Sequence, residues 1–204
     1  MTSVPTYVAL EMLGPVLRTG EAAATLRTSV SSASRMLRGL EANGLAHHVR
    51  SGVWSMGPDR PDPFVIAPEL TRPHLAYVSF ESALNFHAMI DQIPREISVA
   101  SLDRARRIVT SIGTFAIHHV PPTLFGGWQE TRRGHVAGPE KAIFDLCYAS
   151  ATYRGRMRRI PELELPAGFD PQLVEEWAKR VESPRVRTLT RRAIEYAMSR
   201  AVPR

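Results

Sequence analysis

Between residues 30 and 45, in VSSASRMLRGLEANGL, apolar side chains recur at helical spacing. At about 100° per residue, Val30, Ala33, Met36, Leu37 and Leu40 fall within one arc, the expected core side. Ser31, Ser34, Arg35, Arg38 and Ala42 share another arc, which is small and basic. Ser29 can cap the first turn, because its hydroxyl can accept from the open amides there. Asn43-Gly44 can end the helix, because both tolerate the left-handed conformation. Upstream, TGEAAATLRT predicts a shorter helix with Thr19 as its cap, Glu21 in the first turn, and Ala22, Ala23 and Leu26 as its apolar stripe. TYVALEML predicts a helix before it, and PVLR a small strand. Downstream, Leu45 to Val49 and Val53 to Met56 read as two short strands, with Arg50-Ser51-Gly52 as the turn.

Helix, short strand, helix, helix and hairpin is the order of a winged helix-turn-helix, and the short gap before Val30 suits its corner. SVSSASRMLRGLEANGLAHHV resembles the recognition helix and wing start of bacterial winged-helix regulators. Residues 1–58 are therefore expected to form a DNA-binding domain. Short hydroxyls let a helix approach a surface closely, and arginines can reach phosphates or guanine edges. The candidate DNA-contacting residues are Ser29, Ser31, Ser34, Arg35 and Arg38 on the helix and Arg50 on the wing. Two other readings of this face stand beside it: an ordinary solvated surface, and a winged helix reused for protein contacts.

GPDRPDP, residues 57 to 63, reads as a linker, since its prolines and glycine oppose regular structure. FVIAPEL after it is expected to be extended. YVSFESALNFHAMIDQIP predicts a helix capped by Ser79 and stopped by Pro94. EISVAS and TFAIHHVP predict strands, with RARRI as a polar connection and PTLFGGW as a turn. HVAGPEKAIFDLCYAS predicts a helix with Pro139 in its first position, Glu140 in its first turn, and Ile143, Leu146 and Cys147 in its buried stripe. Asp170-Pro171 and Ser183-Pro184 are cap pairs that open two tail helices. The expected fold class is α+β: an N-terminal winged helix-turn-helix, then a mixed α/β domain over residues 64–204 with a helical tail from about residue 165.

Three stretches carry a resemblance: SALNFHAMIDQIPREISVAS, GTFAIHHVPPTLFGGW and AGPEKAIFDLCYAS. They resemble the AbiEi-type antitoxin family of bacterial toxin–antitoxin systems. The matching motifs are Ser82-Ala83-Leu84 with His87, a strand carrying His118 and His119, and Pro139-Glu140-Lys141-Ala142. The match runs from the first helix to Ser150. The resemblance implies two jobs. The winged helix represses its own operon by binding promoter DNA, and the remainder opposes a nucleotidyltransferase-like toxin. A stand-alone winged-helix repressor is the alternative, and a DNA-processing enzyme is a more distant one.

Charge agrees with an anionic partner. The net charge is +6, and the basic excess lies at the two ends. YRGRMRRIPELELP concentrates Arg154, Arg156, Arg158 and Arg159, which with His87 are candidate contacts for a protein partner; His87 also reads as a hydrogen-bonded interior residue. A single recognition helix reads few base pairs, so two copies on DNA are expected, as a homodimer or cooperatively on adjacent half-sites. No catalytic residue, metal ligand or cofactor is expected. Adjacent His118 and His119 point to opposite faces of a strand, no Cys/His pair has zinc spacing, and no Gly-rich phosphate loop is present. Glu140 and Lys141 read as polar first-turn residues that orient their helix. Cys147 is the only cysteine and reads as a small core residue. No apolar run approaches the roughly 18 residues of a membrane span, and the N-terminus makes a poor signal peptide, so a cytoplasmic protein without membrane contact is expected.

Overall fold

The computed structural model describes residues 4–152 and 160–204. The arginine cluster Arg154, Arg156, Arg158 and Arg159 lies outside the described residues. The chain is mixed α and β. It begins with α1 (Val4–Glu11), β1 (Val16–Arg18), α2 (Thr19–Thr25), α3 (Val30–Ala42), β2 (Ala46–Arg50) and β3 (Val53–Met56). The three strands form an antiparallel sheet in the order β1-β3-β2. Leu10, Leu17, Ala22, Ala33, Leu37, Leu40 and Trp54 close a small core between this sheet and the helices.

That core corrects two expectations. Val30 and Met36 are 58% and 37% exposed, and only Ala33, Leu37 and Leu40 of α3 are buried. The neighbouring α2 offers the small side chains Ala22 and Ala23, so it covers only a narrow stripe of α3. Thr19 is the first residue of α2 and not its cap. Its hydroxyl faces the core and accepts from the indole Nε1–H of Trp54 at 3.0 Å, satisfying a buried donor. The cap position falls to Arg18, whose amide donates to Glu21 Oε2 at 2.7 Å.

Residues 57–62 hold no regular element, and α4 (Pro63–Ile66) follows, continued by a 3-10 turn over Ala67–Leu70. FVIAPEL is thus helical and not extended. Asp62 caps it, accepting from the Phe64 amide at 2.9 Å, and Pro63 is preset for a first helical position. Burial of Phe64, Ile66, Ala67 and Leu70 holds it against the larger core.

The remainder comprises β4 (Ala76–Val78), α5 (Phe80–Phe86), β5 (Ile97–Ser101), β6 (Arg106–Thr110), β7 (Gly113–His119), β8 (Trp128–Thr131), β9 (Gly134–Ala137), α6 (Pro139–Thr152), β10 (Glu164–Leu165), α7 (Pro171–Lys179), α8 (Pro184–Ser199) and β11 (Val202–Pro203). Six strands form one mixed sheet in the order β6-β7-β5-β4-β9-β8. RARRI is only partly the expected polar connection: Arg104-Ala105 precede the strand, and Arg106–Ile108 already belong to the edge strand β6. Its alternation is masked because only Ile108 turns inward, while Arg107 and Val109 face solvent. Helix α5 ends at Phe86, well before Pro94. Ala88 takes a left-handed φ of 53°, and the Asn85 amide donates to the carbonyls of Ile90 and Gln92, which folds the chain back early. The two tail caps form: Asp170 Oδ1 accepts from the Gln172 amide at 2.8 Å, and Ser183 Oγ from the Val186 amide at 3.4 Å.

Helix α6 packs against α5, α7 and α8. At its centre Lys141 and Asp145, one turn apart and 2% and 1% exposed, form an ion pair. Asp145 Oδ2 also accepts from Ser79 Oγ at 2.7 Å and Tyr77 Oη at 3.1 Å. Three donors thus converge on one carboxyl group. The Lys141 ammonium lies 4.6 Å from the Trp177 ring centroid, 5.0 Å from Phe144 and 5.6 Å from Tyr77. Ser79 therefore spends its hydroxyl on Asp145 and makes no cap bond to α5. Lys141, expected as a polar first-turn residue that orients its helix, is buried in the core. Glu140 does orient elements: its Oε1 accepts from the Asp170 amide at 3.0 Å, where α7 begins. Gly127 lets Trp177 close over Lys141. Its φ is +74°, and a Cβ there would stand 2.8 Å from Trp177 Cζ2 and 3.0 Å from Lys141 Cγ.

The N-terminal elements lean on this body through more than residues 57–62. Val49 and Val53 belong to the larger core. Ser111 donates its amide to Val49 O at 3.0 Å and its hydroxyl to His48 O at 2.7 Å. Arg18 Nη2 donates to Glu69 O at 2.7 Å, and Arg72 pairs with Glu21 at 2.9 Å.

The Lys141 site predicts a specific pattern of stability. Lys141→Met strands a buried carboxylate and should lower unfolding free energy by about 3–5 kcal/mol. Lys141→Met with Asp145→Asn removes both charges and should recover much of that loss. Urea titration of both variants checks this; equal losses would show that the pair's charge is not what matters. Burial pushes the Cys147 thiol up to about 12, so it is protonated and shielded near neutral pH. It should resist iodoacetamide at about pH 8 in the folded chain and react once unfolded, as read by mass spectrometry.

Candidate nucleic-acid interface

Helix α3 begins at a hydroxyl cluster. Ser29 Oγ accepts from the Ser32 amide at 3.2 Å, and lies 3.0 Å from both Ser31 Oγ and Ser32 Oγ. Ser29 thus caps the helix as its position suggests, and its hydroxyl serves the protein first. Ser31 is exposed and Ser34 half-buried. Arg35 and Arg38 lie one turn further on, three residues apart, and both are exposed. The helix closes at Asn43, whose side-chain amide donates to Gly39 O at 2.6 Å, and at Gly44 with φ +69°.

The hairpin is fixed to this helix. Glu41 is the only acid in α3, and its carboxylate accepts from the His48 amide of β2 at 3.0 Å. His48 in turn packs on Trp54, with ring centroids 4.6 Å apart. Arg50 ends β2 at the tip of the hairpin and is exposed. Arg35, Arg38 and Arg50 form no ion pair with any described residue. Three guanidiniums without ion-pair partners among the described residues, on a helix and hairpin held together by Glu41, can donate to phosphate oxygens or guanine edges.

Sequence reasoning passed over Arg27. It occupies the corner between α2 and α3, is exposed, and takes a left-handed φ of 49°. Its signal was weak, because no glycine or asparagine marks the turn. The exposed Val30 and Met36 also join the outer surface of α3.

The other candidates lie elsewhere. His87 ends α5, half-buried, and its Nε2–H donates to Ala137 O at 2.7 Å. This bond joins α5 to β9, and the Phe86 ring meets the imidazole edge-on at 5.1 Å. His118 packs on Phe80 with centroids 4.4 Å apart, while His119 Nδ1–H donates to Asp103 O at 3.2 Å. Among the described residues, no three His, Cys, Asp or Glu side chains gather as a metal site, and no helix is long and apolar enough to cross a membrane.

No protein-family model matches the chain, and none of the curated proteins is a significant match to it.

Proposed function

We propose that the N-terminal elements act as a winged helix-turn-helix that binds promoter DNA, with α3 as recognition helix and the β2–β3 hairpin as wing. One observation carries this reading: Arg35 and Arg38 share the exposed side of a Ser-capped helix, beside an exposed hairpin arginine, and no carboxylate among the described residues engages them. Arginines on an ordinary solvated helix commonly find acidic neighbours at helical spacing. The chain order helix, strand, helix, helix, hairpin, with the strands paired β1-β3-β2, supports the same reading.

The larger proposal is an antitoxin that represses its own operon and neutralises a nucleotidyltransferase-like toxin. Its support is the resemblance of the segments around Ser82, His118 and Pro139 to AbiEi-type antitoxins. These segments form one packed neighbourhood: Ser82 Oγ accepts from the Ser98 amide at 2.9 Å, His87 bonds the strand before Pro139, and α5 packs on α6. In this reading the chain catalyses nothing, and the body built on α6 presents the toxin-facing surface.

On DNA, Arg35→Ala or Arg38→Ala should weaken operator binding by about 1–3 kcal/mol and relax specificity at the base pair concerned. Arg50→Ala should weaken binding on all sequences and reduce the salt slope by about 1, as for a phosphate contact. Titrations against the chain's own promoter decide this; a folded Arg35/Arg38 double variant with unchanged affinity would remove α3 from the interface. Footprinting should reveal a repeated element bound by two copies, and one short site occupied by a single chain would contradict that.

The two jobs are separable within the full-length chain. The same double variant should lose promoter repression yet still protect cells from the product of the neighbouring toxin gene. Loss of both functions in a folded variant would mean that α3 also contacts the toxin.

A further inference from the structure

A crevice of about 450 Å³ runs between the tip of the hairpin and the edge of the larger body. Its size lies within the range of small-ligand sites. Arg18, Arg50, Arg72, Arg104, Arg106 and His74 line it, contributed by the N-terminal sheet, by the turn before β4 and by the approach to β6. Two carboxylates, Glu69 and Asp103, stand among them. Five arginines line it against these two acids, and Glu21, just outside the lining, also pairs with Arg72, which leaves an excess of about two positive charges. Both acids are already engaged, Glu69 by Arg72 at 2.9 Å and Asp103 by Arg106. Arg50 and Arg104 have no ion-pair partner among the described residues. Arg18 is under-compensated as well: Nη2 bonds Glu69 O, but the Nε–H is buried with no acceptor. A desolvated guanidinium N–H without a partner is costly, and a folded chain rarely gathers such charge without a counter-ion.

We infer that this crevice binds a small polyphosphate anion, held between the hairpin and the larger body. Several guanidiniums from separate segments suit a ligand with several adjacent oxyanions, each taking a bidentate arginine contact. A single phosphate would reach only part of the ring. A DNA duplex suits it less well. Arg50, Arg72 and Arg104 are exposed at the rim, but Arg18 and Arg106 are half-buried in the walls, beyond a convex rod. The site does not depend on the DNA-binding reading, although Arg50 serves both.

Calorimetric titration of the full-length chain with inorganic tripolyphosphate tests the inference, with sulfate at matched ionic strength as the single-anion control. The expected result is saturable binding of one tripolyphosphate per chain, about tenfold tighter than sulfate or better. Arg104→Glu, at an exposed side chain without a charged partner, should weaken it at least about tenfold, the loss of one charge-assisted contact. Arg104→Lys should retain most of the affinity, and Arg192→Ala, at an exposed position of α8 outside the crevice, should change nothing. Absence of saturable binding overturns the proposal, as does equal binding by Arg104→Glu and wild type, or equal loss in Arg192→Ala, which would mark diffuse charge. If tripolyphosphate fails to bind while Arg104→Glu weakens duplex binding, the rim is a DNA-backbone contact; the crevice inference falls and the DNA reading stands. If tripolyphosphate binds as expected and the Arg35/Arg38 variant still binds promoter normally, the DNA reading falls and the crevice stands.

Discussion

Three side chains from separate elements meet at one carboxylate, that of Asp145. Lys141 and Asp145 come from a single turn of α6, Tyr77 from β4, and Ser79 from the residue before α5. An ion pair this deeply buried pays heavily in lost hydration. It persists because Asp145 is fully engaged and because the faces of Trp177, Phe144 and Tyr77 surround the ammonium. Burial works against the ammonium and lowers the Lys141 pKa, while Asp145 opposes that shift. Through this one arrangement the sheet, α5, α6 and the tail helix α7 hold a common geometry. Gly127 belongs to it, because any larger residue would displace the indole that covers the lysine.

The N-terminal elements rely on smaller devices. Their core is narrow, built on alanines in α2 and on Trp54, whose indole is held by Thr19. A narrow core leaves more of α3 uncovered, so Val30 and Met36 lie outside beside the serines and arginines. The Glu41 carboxylate is spent on the His48 amide and not on an arginine. That choice fixes the hairpin to the helix and also leaves Arg35 and Arg38 without an ion-pair partner among the described residues.

These two parts are coupled. Val49 and Val53 place hairpin side chains in the larger core, and Ser111 ties the β6–β7 turn to the β2 backbone. Through these contacts the hairpin arginine Arg50 stands opposite Arg104 and Arg106 across the crevice. The geometry of the hairpin, and of α3 fixed to it, is therefore supported partly by residues far along the chain.

Local signals were enough for the N-terminal elements, for β5, β7 and α6, and for the two tail helices, because each rests on interactions within a few residues. Helical spacing in α3, the Ser29 cap, the glycine at its end, and the Asp-Pro and Ser-Pro pairs are of this kind. Those signals also marked Arg35, Arg38 and Arg50, since a helix face and a hairpin tip follow from local periodicity. They misassigned FVIAPEL, RARRI and the end of α5, where long-range burial or a fold-back of the chain decided the conformation. An edge strand with one inward residue has almost no period to detect. Nor could periodicity tell that Thr19 serves Trp54, that Ser79 serves Asp145, or that Lys141 is buried, since each partner lies tens of residues away. The basic crevice had no trace in the sequence at all: its arginines are scattered from Arg18 to Arg106, and only the packing of the hairpin on the larger body brings them to one place.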